Sequence, residues 1–333
     1  MAHQHPVLPL SEGGKPLHRP LNLAVVAPCF NEETILEGSA REILLELNRL
    51  KEKGKISPES GVYFVDDGSS DRTWPVIQDL HRKNPEVRGF RLSRNFGHQG
   101  AILAGMLTLK DKVDCVVTID ADLQDETGVL ERFVDLYQEG NEIVYGVRRG
   151  RDTDTFFKRH TAQAFYHLME WMGVEIVYNH GDYRLVGRRP LEALSGFQEV
   201  NLFLRGVFPA IGFRHATVEY DRKERVAGET KFPPLKMLTF ALNGITSFSI
   251  KPLRFIAVLG AGIFSMSLAL SLWALLTALY SRRAVHGWGS TVLPIYLLGG
   301  LQTIFMGIVG EYVGRIYQEV KGRPRFIIAE TLD

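Results

Sequence analysis

Four short polar segments hold most of the residues able to do chemistry: Pro28-Cys29-Phe30-Asn31-Glu32, Asp66-Asp67-Gly68-Ser69-Ser70-Asp71, Arg94-Asn95-Phe96-Gly97-His98-Gln99 and Asp120-Ala121-Asp122-Leu123-Gln124-Asp125. Asp120 and Asp122 straddle one residue, so on an extended backbone both carboxylates point the same way. Hard oxygen ligands at that spacing suit Mg²⁺ or Mn²⁺, which commonly shares its shell with substrate phosphates. Together with the other segments the pair suggests a nucleoside diphosphate bound through its metal. Each segment alone also has a structural reading. Asn31, Ser70 or Asp71 would serve as helix N-caps, and Asp67-Gly68 as a turn. No G-x-G-x-x-G follows the first strand, and no G-x-x-x-x-G-K-[ST] occurs anywhere, which sets aside a dinucleotide fold and a P-loop.

The elements between these segments explain why they would meet. Leu23–Ala27, Val62–Val65, Val87–Leu92, Val113–Ile119 and Glu142–Val147 read as strands, and Glu32–Lys53, Ser70–Arg82, Gln99–Lys110 and Glu126–Glu139 as helices. This β-α repetition predicts an α/β domain with a mostly parallel sheet covered on both faces. Ligands of such sheets bind at the carboxyl ends of the strands, where all four polar segments lie.

The 333 residues carry 39 Lys+Arg against 38 Asp+Glu, a net charge of +1, which excludes nucleic-acid binding through a bulk basic field. Two cysteines, Cys29 and Cys115, exclude a disulfide scaffold and a cysteine-rich zinc site. Phe255–Tyr280 and Thr291–Gly310 contain no Asp, Glu, Lys, Arg or His. About 20 helical residues cross a bilayer core, so both runs are expected to span a membrane. Basic residues on the outer flanks (Lys236, Lys251, Arg254, Arg315, Lys321) place those flanks in the cytoplasm by the positive-inside rule. The expected organisation is a mobile tail over 1–20, a cytosolic catalytic domain over 21–231 and an amphipathic stem over 232–252. Two transmembrane helices follow at about 253–280 and 291–314, within 253–318, and then a cytosolic tail over 319–333.

The segments "VAPCFNEE", "FVDDGSSDRT", "LSRNFGHQGAILAG" and "DADLQD" resemble family 2 glycosyltransferases, which have the A-type nucleotide-diphospho-sugar transferase fold. "GDYRLVGRRP", "ERVAGETKF", "ALNGITSFSIKPLR" and "GEYVGRIYQEVKGRPRF" are most similar to the polyprenyl-phosphate branch, the bactoprenol glucosyltransferases of O-antigen modification. Dolichyl-phosphate mannose synthases are more distant kin. The resemblance covers about Leu23 to Phe326.

The resemblance implies a metal-dependent, inverting transfer of one hexose, glucose favoured, from a UDP-sugar to undecaprenyl or another polyprenyl phosphate. It implies Pro28, Asn31 and Glu32 in the nucleotide pocket, Asp67 on the uracil or ribose, and Gln124 near the sugar. Asn95 and Gln99 are candidates for the same pocket. Asp120 and Asp122 occupy the metal positions, with Asp122 favoured as the direct ligand of Mg²⁺ or Mn²⁺. Asp182 matches the family's catalytic aspartate. A polyprenyl monophosphate is already mostly a dianion at pH 7, so Asp182 is expected to position the acceptor or metal more than to remove a proton. A salt bridge to Arg184 or Arg188 is the structural alternative. Arg205, Arg225 and Lys231 are candidate cations for the leaving group and the acceptor phosphate, with Arg148 a further candidate on the acceptor side. The expected partners are the UDP-sugar, the polyprenyl phosphate, a membrane bilayer and further copies of the chain, with no nucleic acid. The expected location is the bacterial inner membrane, multi-pass, with both termini cytoplasmic. Another transferred sugar (galactose, GlcNAc, mannose or an aminoarabinose type) is an alternative, and a non-catalytic membrane scaffold a remoter one. A processive synthase lacks its Q-x-x-R-W signature here.

Overall fold

The computed structural model describes residues 19–122, 124–149, 180–199, 202–221, ten positions between 253 and 269, and 288–333. The uninterrupted apolar runs form the centre of a sheet. β1 (Leu23–Cys29) and β2 (Gly61–Asp66) are buried at every position, as strands covered on both faces must be. β3 (Val87–Leu92), β4 (Cys115–Thr118), β5 (Ile143–Arg148), β6 (His180–Gly187), β7 (His215–Tyr220) and β8 (Ile328–Leu332) complete it, in the order β7-β5-β6-β4-β1-β2-β3-β8.

Helices cover both faces. α1 (Leu36–Glu52) turns Ile43, Leu47 and Leu50 inward at helical spacing. α2 (Thr73–Lys83) follows β2, and α4 (Leu130–Gln138) packs Leu130, Phe133 and Val134 into the same core as α1. α3 (His98–Leu109) packs on β1 and β2 so closely that a Cβ on Gly105 would sit 2.5 Å from Val26 Cγ1. Two shorter helices, α5 (Arg188–Ser195) and α6 (Leu204–Ile211), follow β6, and α7 (Trp288–Val320) lies near the C-terminus.

The β3-β2-β1-β4 half is parallel, as the sequence pattern predicts. Elsewhere the sheet is mixed. β6 runs antiparallel to β4 and β5, β7 is parallel to β5, and β8 is antiparallel to β3. β6 escapes a hydropathy reading because Asp182 and Arg184 interrupt it, although every residue of it is buried. Where a tail over 319–333 is expected, Ile328–Leu332 instead forms β8. It is a largely exposed edge strand, held by Glu330, which accepts from Trp74 Nε1 at 3.0 Å and Arg91 Nη1 at 2.7 Å. Strand order reverses between β4 and β1, which opens a crevice at their carboxyl ends.

The chain divides into two compact units, one of Met1–Tyr166, Glu175–Phe232 and Pro324–Asp333, the other of His167–Val174 and Pro233–Arg323. The first contains the sheet. In the second, the expectation of a transmembrane hairpin is corrected. Among the described residues no helix is long and apolar enough to cross a membrane. α7 runs for 33 residues, and Glu311, Arg315 and Glu319 charge its last three turns. The multi-pass inner-membrane assignment, which rested on that hairpin, falls with it. The tail over 1–18, the stem over 232–252 and most of the 253–280 segment lie outside the described residues.

Candidate active site

The crevice holds a cavity of about 320 Å³ at the ends of β1, β2, β3 and β4. Of the residues singled out in the sequence, Pro28, Glu32, Asp67, Asn95, Asp120 and Asp122 line it. Phe30, His98 and Ala101 join them. Asp120 and Asp122 share the cavity for a reason other than strand alternation. β4 stops at Thr118, and a turn at Ala121-Asp122 brings the two carboxylates round. Gln124 N–H donates to Asp122 Oδ1 at 3.3 Å and closes that turn.

The loops are fastened to one another by the residues expected to bind ligand. Asn31 sits at φ 55, a left-handed conformation that asparagine tolerates. Its N–H donates to Ser69 Oγ at 2.9 Å and its Oδ1 accepts from Ser70 N–H at 2.9 Å, joining the first loop to the second. Asp67 Oδ1 accepts from Phe96 N–H at 2.7 Å, and its Oδ2 from Gly97 N–H at 2.9 Å, joining the second to the third. Burial pushes the Asp67 carboxyl up, and these two backbone donors only partly offset it. Gly68 has φ 67 and a Cβ there would lie 2.5 Å from the Arg94 carbonyl carbon, so only glycine lets these loops touch. Asn31 does not line the cavity and Asp67 does. Both act first as loop fasteners.

A charge cluster adjoins the cavity. Asp182, buried on β6, accepts from Arg184 Nη2 at 2.6 Å and from Arg205 Nη2 at 3.1 Å. His98 Nε2 lies 3.5 Å from Asp182 Oδ2 and 3.5 Å from Asp120 Oδ1, bridging the two. Burial alone would raise the Asp182 carboxyl. His98, Arg205 and Arg184 outweigh it and hold the group well below the usual carboxylate range. Asp120 goes the other way. Burial pushes it up, His98 opposes, and the carboxylates of Asp125, Asp182 and Asp122 add to the rise. Arg188 does not contact Asp182. It donates to the Val113 carbonyl at 3.0 Å, so of the two expected salt-bridge partners Arg184 is the one in place.

Behind the Asp120–Asp125 loop, Asp125 is buried and its Oδ1 accepts from Tyr220 Oη at 2.8 Å and Arg148 Nη2 at 3.4 Å. Arg148 Nε also donates to Tyr220 Oη at 3.2 Å. The Arg148 guanidinium covers Gly181, where a Cβ would meet its Nη2 at 3.1 Å. Gln124 is buried with its Nε2 unpaired, and Asp120 Oδ1 is buried without a hydrogen-bond donor. Gln99 is not among the residues lining the cavity, and its Oε1 accepts from Leu204 N–H at 3.1 Å. Arg225 and Lys231 lie outside the described residues.

Among the described residues no three His, Cys, Asp or Glu are grouped to hold a metal unaided. Two carboxylates completed by substrate phosphates are an ordinary Mg²⁺ arrangement. Asp120, whose buried Oδ1 accepts no hydrogen bond and lies 3.5 Å from His98 Nε2, fits such a shell together with Asp122.

His98 is the residue that sequence reasoning passed over. It stood in the third polar segment, at the first position of a helix following a strand. Its place on the cavity wall and its distances to two carboxylates mark it out.

Residues 24–195 match the profile of Glycosyl transferase family 2. The uncharacterized glycosyltransferase YkoT of Bacillus subtilis is 49% identical over 306 residues, covering 92% of this chain and 90% of that protein. The bactoprenol glucosyl transferase of Shigella phage SfII is 37% identical over 313 residues, 93% of this chain and 98% of its own. Among solved structures, a mannosyltransferase from Pyrobaculum calidifontis, in complex with GDP-Man and Mn²⁺, aligns with a TM-score of 0.45 at 18% identity. That alignment covers 92% of this chain and 90% of the other.

Proposed function

Because the chain belongs to glycosyl transferase family 2, we propose that this glycosyltransferase moves one hexosyl unit, glucose first among the candidates, from a UDP-sugar to a polyprenyl phosphate. The observation that carries the reading is the cavity itself. It joins the Asp120/Asp122 pair to loops from β1 and β2, beside a buried carboxylate–guanidinium cluster. The phage relative, similar over nearly its whole length, supports the lipid phosphate as acceptor and glucose as sugar.

In this reading a phosphate oxygen of the acceptor attacks C1 of the hexose. The bond from C1 to the β-phosphate oxygen breaks, and UDP leaves with the electron pair. A single displacement inverts C1 and gives a β-linked phosphodiester. Asp120 and Asp122 would hold Mg²⁺ or Mn²⁺, which supplies charge neutralisation at the departing diphosphate. Pro28, Glu32, Asp67 and Asn95 would shape the nucleotide side, and Gln124, buried behind the Asp120–Asp122 turn with its amide nitrogen without a hydrogen bond, is the candidate for the sugar.

The acceptor's second pKa is near 6, so at pH 7 it needs little deprotonation. Asp182, held well below the ordinary carboxylate range, is a poor proton acceptor. Its work is to keep Arg205 and His98 in place, so that positive charge meets the acceptor phosphate in a fixed direction.

The test is incubation of the purified chain with UDP-glucose, undecaprenyl phosphate in detergent and Mg²⁺, reading the lipid product by mass spectrometry. A mass increase of one hexose, lost on chelation by EDTA, is the expected result. No acceptor-stimulated UDP release with UDP-glucose, UDP-galactose or UDP-GlcNAc would sink the proposal.

A further inference from the structure

Resting on the reading that Arg205 faces the acceptor phosphate, we propose that Gln99 is a positioning residue that aims Arg205 and leaves the sugar nucleotide untouched. Its place on α3 sets this up. His98 and Ala101, three residues apart on one side of the helix, line the cavity. Gln99 is turned about 100° from His98 and reaches another element.

That element is α6. The first N–H groups of a helix have no partner within it. Phe203, preceding α6, brings no side-chain cap. Gln99 supplies one from 105 residues away, its Oε1 accepting from Leu204 N–H at 3.1 Å. Arg184 Nη1 donates to the Leu204 carbonyl at 3.4 Å. Leu204 is therefore held at both its N–H and its carbonyl. The next residue is Arg205, whose Nε and Nη2 reach Asp182 at 3.3 and 3.1 Å. α6 has eight residues, Gly206 and Val207 N–H close its first turn on the Phe203 carbonyl, and Pro209 brings no N–H to the Arg205 carbonyl. Outside anchors decide where that turn points, and the Arg205 guanidinium points with it.

α3 thus touches the cluster twice, through His98 to Asp182 and through Gln99 to the helix that delivers Arg205. Loss of the Gln99 acceptor frees the start of α6. It leaves the residues on the nucleotide side where they are.

Two substitutions separate this role from a nucleotide contact. Gln99→Leu keeps the bulk and removes the acceptor. Gln99→Glu keeps an acceptor for Leu204 N–H and removes the amide donor. With UDP-glucose and undecaprenyl phosphate in detergent, Q99L should raise the acceptor KM about five- to tenfold, the size of one lost cap. Its UDP-glucose KM should stay within about twofold of the parent value. Hydrogen exchange at the Leu204 amide should speed up by a similar factor, and Q99E should restore both measurements. A raised donor KM with an unchanged acceptor KM would overturn the proposal, as would failure of Q99E alongside Q99L, or unaltered exchange at Leu204. Should the parent protein show no acceptor-stimulated transfer, the functional reading fails instead, while the Leu204 exchange rate still decides whether Gln99 caps α6.

Discussion

Arg205 grips Asp182 with two nitrogens, Nε at 3.3 Å from Oδ1 and Nη2 at 3.1 Å from Oδ2. Such two-point pairing fixes the plane of both groups, and Arg184 and His98 occupy further positions around the same carboxylate. Asp182→Asn keeps the shape and removes the charge that all three share. Arg184, with no exposed surface, loses its ionic partner, and breaking a buried pair costs about 3 kcal/mol. We expect turnover lost by about a hundredfold or more at every pH from 6 to 9, with Mg²⁺ affinity kept. Near-normal kcat in that variant would contradict the role given to Asp182.

Gly68 carries the contact between the second and third loops. Gly68→Ala places a methyl against the Arg94–Asn95 backbone at 2.5–2.8 Å and at φ 67. Backbone cannot step aside as a side chain does. A loss of about 2 kcal/mol in urea unfolding is expected, with weakened UDP binding in calorimetry because the Asn95 segment is displaced.

Tyr220→Phe removes one hydroxyl from the Asp125–Arg148–Tyr220 triangle. Asp125 is buried and its Oδ2 is already without a donor, so little remains to solvate it. Losing a hydrogen bond to a buried charge costs about 2 kcal/mol. The denaturation midpoint should fall accordingly, while a far-UV spectrum reports an unchanged fold.

Glu330→Ala tests β8. Trp74, 3% exposed, would keep a buried indole N–H without its acceptor, and Arg91 would lose an ion partner. A loss of about 1–2 kcal/mol follows, and the amides of β3 should exchange faster as its edge opens.

Glu131 links α4 to the end of α1 and the loop after it through Lys53 at 2.7 Å and Lys55 at 2.8 Å. Its hydrogen bonds to the two lysines lower its carboxyl from 4.5 to about 2. A depressed carboxyl contributes stability that is full above its unfolded value and is lost as pH falls from about 4.5 toward 2. The lysines are partly exposed, so screening leaves about 1 kcal/mol. Glu131→Gln should therefore lower stability by that amount at pH 7, with the difference from the parent shrinking below about pH 4.5 and gone only below about pH 2.

Much of this molecule was written along the chain. The apolar runs of β1 to β5 and the stripes of α1 and α4 depend on local spacing, and they stand within a few residues of where spacing puts them. Asp120, Asp122 and the four strand-end loops follow from that pattern, because a β-α repeat delivers successive loops to one edge. Among the described residues of the C-terminal third, hydropathy overstated α7, which is not long and apolar enough to cross a membrane. An uncharged run reports composition alone, and it cannot by itself tell a membrane span from another helix.

Tertiary structure decided the partnerships. Asp182 meets Arg205 across 23 positions, and Gln99 meets Leu204 across 105. Asn31 and Asp67 turned out to fasten loops, and Gln99 to cap a distant helix. A carboxylate or amide states what it can donate or accept. Which atom stands 3 Å away depends on how the sheet is ordered and on which buried polar group would otherwise lack a partner. That reckoning is three-dimensional, so residue type and spacing bring the candidate loops to one edge while only the packed chain sets each side chain's partners.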